Sequence, residues 1–305
     1  MNKKNIHITK ASGDRVLFSE EKLRRSLERS GATEVQMDSV VAQIQSDLYE
    51  GMSTGKIYRK AYELLRKRSK PHAARYKLKK AIMELGPSGY PFERFVGAML
   101  QQQGYRVQIG VMMEGRCVTH EIDVLAEKND KLILAECKFH NRPGVKCDVK
   151  IPLYIHSRYR DVIMARSGRD EANAGRPGKK IDGNHLADPG SEIREYEGWI
   201  VTNTRFTDDA IRYGTCSGLV MLGWDYPAKN GLRQRIGLSG LHPVTCLSTL
   251  NRKEKMHLLE KGVVLCRSVP VETKQLHELG LTKQRIAKVV DECLELVGQL
   301  GVPEQ

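Results

Sequence analysis

Paired cysteines are the first thing this chain lacks. Its seven cysteines are odd in number and widely separated, with no Cys-x-x-Cys among them, which excludes the usual zinc-ligand spacings and argues against a disulfide framework. A reduced compartment, the cytoplasm, is expected. Long apolar runs are missing too: no stretch of roughly 18 apolar residues occurs, and the basic start MNKKNIHITK is not followed by an apolar core, so neither a membrane span nor a secretory leader is expected. That leaves no membrane partner to expect. Acidic residues are in deficit. Fifty lysines and arginines against 37 aspartates and glutamates give a net charge of +13. Residues 1–90 hold 19 of those basic residues against 10 acids, so most of the excess lies in the first third. Such a balance favours a polyanionic partner, nucleic acid or nucleotide.

What is present suffices for two or three domains: 305 residues, 40% of them hydrophobic, can bury real cores. Residues 6–18, IHITKASGDRVLF, read as two short strands joined at Ser12-Gly13-Asp14. Ser19 is placed as an N-cap, with Glu20 and Glu21 in the first turn ahead of Leu23 and Leu27. Residues 37–50 and 54–68 repeat helical apolar spacing, 71–86 reads as one basic helix ending at Gly86, and Gly86-Pro87-Ser88-Gly89 as a linker.

This first segment, 1–86, resembles the ATP-cone, a nucleotide-sensing module, through the hairpin ITKASGDRVLF, the helix start EEKL, the connection EGMSTGKIY and the helix AARYKLKK. The resemblance implies a mainly helical domain with a small β element that binds ATP or dATP as a regulatory ligand. Lys10 and Lys22 match its phosphate-binding lysines, Thr54 a residue near the base, and Lys79 or Lys80 the charge on its last helix, whereas Tyr58 stands where that family has a histidine. Lysines converging from a hairpin and a helix start suit a triphosphate. The alternative is a small helical bundle used for assembly.

EIDVLAEKNDKLILAECKFH, residues 121–140, carries the chemistry. With a hairpin centred between Asn129 and Asp130, Asp123 falls opposite Glu136, and like charges so placed repel. Lys138 shares a strand face with Glu136, while Ala135 and Cys137 point the other way. Leu132, Ile133 and Leu134 form the unbroken apolar run of a strand buried on both faces, and the charges begin only at its end. Two acids and a lysine there fit a hard cation such as Mg²⁺ beside a phosphate. His120 and His140 flank the triplet and read as structural.

Upstream, Phe92, Phe95, Val96, Met99 and Leu100 form a helical stripe bordered by Glu93, followed by a strand at 105–110. Downstream come the strand WIVTN (199–203) and the helix FTDDAIRYG (206–214). The order helix, strand, strand with Asp, strand with Glu-x-Lys, together with WIVTNTRFTDDAIRYG, resembles the PD-(D/E)xK restriction-endonuclease superfamily in its Mrr-like branch. That resemblance spans roughly 90–225 and implies an α/β domain with a mixed sheet over 90–235. It also implies that Asp123 and Glu136 are metal carboxylates, that Lys138 is the catalytic lysine and that Glu93 is the acid of the preceding helix, joining them in hydrolysis of a phosphodiester.

Between these elements, 151–166 reads as a helix whose Ile, Leu and Tyr positions cover the sheet. The polar, glycine-rich segment 166–190, with Arg166, Arg169, Arg176, Lys179 and Lys180, reads as a substrate-contacting or ordinary surface loop. Residues 240–305 are expected to be helical. Thr282 caps a helix whose stripe is Ile286, Val289, Val290, Cys293, Leu294 and Val297, and a packing or dimerising helix pair would make the chain a homo-oligomer. The expected activity is a Mg²⁺-dependent endonuclease on DNA, regulated by a (d)NTP and serving restriction or phage defence. The alternative is a nucleotide-sensing DNA-binding regulator on an inactive nuclease fold.

Overall fold

The computed structural model describes residues 6–10, 12–142, 144–166 and 195–298. Arg169, Arg176, Lys179 and Lys180 lie outside the described residues. The chain forms a multidomain α/β protein of two compact units, one of Met1–Ala81 with His242–Gln305, the other of Ile82–Leu241.

In the first unit, β1 (His7–Thr9) pairs antiparallel with β2 (Arg15–Leu17) and parallel with β3 (Met52–Ser53). Around this sheet run α1 (Glu20–Glu28), α2 (Glu34–Asp47), α3 (Thr54–Arg68), α4 (Lys70–Tyr76) and α5 (Leu78–Met83). Ser19 caps α1 by accepting from the Lys22 N–H, as expected. The basic helix expected over 71–86 is two helices. Ser69 starts α4, and the chain turns at Lys77, where the Lys77 Nζ donates to the Thr245 carbonyl at 3.3 Å and the Thr245 hydroxyl donates to the Ala81 carbonyl at 2.7 Å. Of these contacts only the one at Ala81 takes up a backbone group, its carbonyl, while the Lys77 N–H and carbonyl keep helical partners in Ala73 and Ala81 at 3.0 and 2.9 Å.

That segment contributes α10 (Arg252–Glu260), α11 (Lys274–Glu278) and α12 (Lys283–Gly298) to the same unit. Gly262, at φ 82°, ends the first of them, and Val263, Val264, Leu265 and Cys266 run buried where the pattern suggested more helix. The stripe of α12 also differs from expectation: Leu294 is 55% exposed, and the buried positions are Ile286, Val289, Cys293 and Leu296. Glu292, 1% exposed, occupies this inner face instead. It accepts four hydrogen bonds at 2.7–2.9 Å, from the backbone N–H and hydroxyl of both Ser248 and Thr249. Replacing Glu292 by Ala would strand those half-buried donors. Urea unfolding of the full chain is expected to lose on the order of 3 kcal/mol, and an unchanged midpoint would show that water replaces the carboxylate.

The second unit is built on a five-stranded mixed sheet of order β10-β8-β6-β5-β4, comprising β4 (Arg106–Glu114), β5 (Thr119–Lys128), β6 (Lys131–Lys138), β8 (Glu195–Thr202) and β10 (Val220–Leu222). A separate short pair is formed by β7 (Lys146–Cys147) and β9 (Arg205–Phe206). α6 (Tyr90–Gln102) packs on β4, β5 and β6, and its Gly97 sits so close that an added Cβ would lie 2.7 Å from Ile109 Cδ1. α7 (Lys150–Arg166) puts Val162 and Tyr159 against Leu132 and Leu134, while α8 (Asp208–Cys216) packs on β10 and α7. α9 (Leu232–Ser239) follows β10. Both alternating sets of β6, Leu132 and Leu134 against Ile133, Ala135 and Cys137, are buried, which explains its continuous apolar run.

Candidate active site

The β5–β6 hairpin turns at Asn129-Asp130, with Lys128 paired to Lys131 and Asn129 at φ 55°. The expected register follows, down to Val124 opposite Ala135. There the ladder stops, one step short of bringing Asp123 and Glu136 into line. Asp123 is opposed on its other side by Gly110, whose φ of 65° takes this position out of the β4 ladder between the Ile109–Val124 and Val111–Ile122 pairs. The kink breaks side-chain alternation: Ile122 and Leu125, three residues apart, join the same apolar cluster under α7. Freed from strict pairing, the Asp123 carboxylate accepts the Cys137 backbone N–H at 2.7 Å.

Glu136 is 7% exposed and gripped on both oxygens. Lys138 Nζ lies 2.5 Å from Oε1, and Arg158 Nη1, from α7, lies 2.5 Å from Oε2. The end of β6 is held in turn by the strand beside it. The Thr202 hydroxyl donates to the Lys138 carbonyl at 2.7 Å, and the Asn203 side chain bonds both backbone groups of His140, accepting from its N–H at 2.8 Å and donating to its carbonyl at 2.7 Å. Thr202, Asn203 and Thr204 are all buried, so this Thr-Asn-Thr run is the brace of the site.

The acids outnumber the local cations. Burial, then the charges of Asp123, Glu121 and Glu136, push the Glu93 carboxyl up to about 7. Burial and Glu136 raise Asp123 to about 6, although the Cys137 N–H, Lys138 and Arg158 oppose that shift. The Lys138 ammonium is raised by Glu136 and Asp123 against the cost of its burial. The structure therefore brings Glu93, Asp123, Glu136 and Lys138 into one coupled cluster. Among the described residues no group of three or more His, Cys, Asp or Glu side chains is arranged to hold a metal ion. The donor chemistry nonetheless fits a hard divalent cation, because crowded carboxylate oxygens are what such an ion neutralises.

Arg158 is the member the sequence reading missed. It occupies the third position after Ile155 on the face that continues to Val162, so an arginine inside a sheet-facing stripe was the available signal. Leu153 and Tyr154, expected to cover the sheet, are 43% and 57% exposed because they fall on the outer side of α7. Both histidines that flank the triplet have side-chain partners. His120 Nε2 meets Asp161 Oδ2 at 2.8 Å, and Asp161, which also accepts from the N–H groups of Cys117 and Val118, is held at about 2. His140 Nε2 lies 3.4 Å from Cys147 Sγ.

Of the nucleotide-site candidates, Lys10 and Thr54 follow neighbouring strand ends. The parallel pairing of Thr9 with Ser53 puts the next residues where β1 leaves the sheet and α3 begins. Lys10 is exposed, its Nζ 4.0 Å from Asp14 Oδ2. Lys22 lies in the first turn of α1, beyond the opposite end of the hairpin, and Lys80 is an exposed residue of α5.

Glu93 and Asp123 ionise at higher pH in the folded chain than in the unfolded one. Through the window from the ordinary carboxylate range up to about 7, the folded state binds more protons, so stability falls as pH rises. In metal-free buffer Glu93→Gln is expected to flatten the fall in melting temperature across that window. An unaltered slope would place the charge crowding elsewhere. Among the described residues no helix is long and apolar enough to cross a membrane.

Residues 242–297 match the family model described as AF1548-like, C-terminal. A crystal structure titled as a protein of unknown function, AF1548, matches with TM-score 0.51 and 29% identity, covering 70% of this chain and 100% of that one. An uncharacterized protein of Archaeoglobus fulgidus is 30% identical over 201 residues, 66% of this chain and 98% of its own length. With nearly the whole of that archaeal relative matched at this identity, the chain belongs to its family, the AF1548-like proteins.

Proposed function

We propose that this protein is a metal-dependent endonuclease that hydrolyses phosphodiester bonds of DNA and is regulated by ATP or dATP bound to its N-terminal part. The observation that carries the reading is the end of β6. Asp123, Glu136 and Lys138 meet where a strand buried on both faces runs out, and Glu93 is coupled to them from the first helix of the unit. A fold gains little stability from carboxylates crowded this way, so their presence argues for a task. The order of elements, with helix, antiparallel strands and the Thr-Asn strand, fits the PD-(D/E)xK pattern, and restriction or phage defence belongs to the same reading.

Asp123 and Glu136, with Glu93 beside them, would hold Mg²⁺. A bound ion would supply a Lewis acid at the phosphate and a water more acidic than bulk. The chain's own groups supply the rest. The Cys137 N–H fixes the Asp123 carboxylate before substrate arrives, so no ordering is needed at the moment of reaction. Lys138 stays an ammonium and stabilises the charge that develops on the phosphate oxygens. Glu93 is pushed up to about 7 by burial and its acidic neighbours while no ion is bound, and the charge of an ion would favour its carboxylate form. The place of Lys10 and Thr54 after neighbouring strand ends supports the nucleotide reading, and the basic excess of the first third supports a polyanionic partner.

Purified protein incubated with plasmid and Mg²⁺, with and without ATP or dATP, tests the activity. Asp123→Ala and Lys138→Ala are expected to lower cleavage by on the order of 10²-fold or more at a temperature where circular dichroism shows each variant still folded. Cleavage retained in both would move the site elsewhere. Lys10→Ala combined with Lys22→Ala is expected to weaken ATP or dATP binding in calorimetry, and unaltered affinity would reject the nucleotide assignment.

A further inference from the structure

We propose that Arg158 competes with the divalent ion for Glu136, and that ion binding hands its guanidinium to the phosphate of the substrate. This rests on the reading above that Asp123 and Glu136 hold the ion. Both oxygens of Glu136 are engaged, Oε1 by Lys138 and Oε2 by Arg158, each at 2.5 Å. A divalent ion arriving at this carboxylate meets two positive charges already there, and in a site this buried the repulsion is poorly screened. One of the two cations must yield.

The geometry points to Arg158. Lys138 shares strand β6 with Glu136, two residues away, so its ammonium stays near the carboxylate whichever oxygen it meets. Arg158 reaches in from a helix on a long side chain and already has other holds. Its Nη1 donates to the Glu121 carbonyl at 3.1 Å, its Nη2 to the Tyr154 hydroxyl at 2.9 Å, and its guanidinium lies 4.9 Å from the centre of the Tyr154 ring. These partners keep it beside the site after it lets go of Glu136. Its Nε–H is buried without an acceptor, so the fork is incompletely satisfied as it stands. A planar fork with a spare donor suits phosphate, which arrives with the negative charge that the metal takes away from the arginine. Arg158 is thus a guard on the metal carboxylate in the absence of ion and a phosphate contact in its presence.

If Arg158 served only to neutralise a buried acid, removing it would damage the ion site. The competition predicts the opposite sign. Mn²⁺ binding to the full chain, followed by electron paramagnetic resonance without DNA, is expected to tighten about fivefold or more in Arg158→Met, because the competent fraction of Glu136 rises. Arg158→Gln, which keeps a donor for Tyr154, is expected to tighten it in the same direction and covers the case in which the methionine variant folds poorly. Both variants are expected to raise KM for DNA more than they lower kcat. Wild-type Mn²⁺ binding that the substitutions leave unchanged or weaken overturns the competition alone. Absence of Mn²⁺ binding in all three proteins overturns it together with the metal reading.

Discussion

The carboxylate of Glu136 is the point on which the second unit turns. At 7% exposure it is tolerable only with compensation, and it receives one cation from its own strand and another from α7. The same contacts fix how α7 lies against β6. The strand end that carries them is itself held by Thr202 and Asn203 from β8, so the site has no loosely supported side. Reciprocal bonds from one asparagine to a neighbouring backbone do the work of a further ladder step where the regular pairing has ended.

Next to this satisfied carboxylate lie two that are not. Asp123 and Glu93 are pushed up to about 6 and about 7, chiefly by burial and by other acids. A chain optimised for stability alone would dilute this charge. Retaining it, on a kink that needs Gly110 at positive φ and leaves the ladder open, is the kind of local departure from folding rules that marks a working surface. The imbalance has one direction: the cluster accepts positive charge, from a proton at lower pH or from a cation.

Much of this was legible because strand chemistry is local. A turn at Asn129-Asp130 sets register, register sets which residues approach, and a run of Leu132, Ile133 and Leu134 announces burial on both faces. Arg158 was harder to see. It acts across a gap in sequence of 22 residues from Glu136, and a helical stripe is recognised by its apolar members, so an arginine within it reads as an interruption. The break at Lys77 and the exposure of Leu294 escaped for a related reason. Each lies beside a contact with a distant segment, Thr245 at Lys77 and Ala81, and Ser248 with Thr249 at Glu292, that no local pattern announces. Lys10 and Thr54 follow the ends of a strand pair only two residues long, whereas Lys22 and Lys80 were grouped with them by family pattern alone.

The same distant segment changes what the N-terminal part is. Helices of nine and five residues, α10 and α11, are too short to persist unaided. Polar knots hold α10 and the turn before it to α12: Glu292 on Ser248 and Thr249, and a bidentate pair of Arg285 with Glu254 at 2.7 and 2.8 Å, Glu254 also closing its own capping box with Asn251. Through Thr245 on Ala81 and α12 on α4, these knots are continuous with residues 1–81. Lys10 and Thr54 therefore belong to a unit assembled from both ends of the chain, not to a module of the first 86 residues alone.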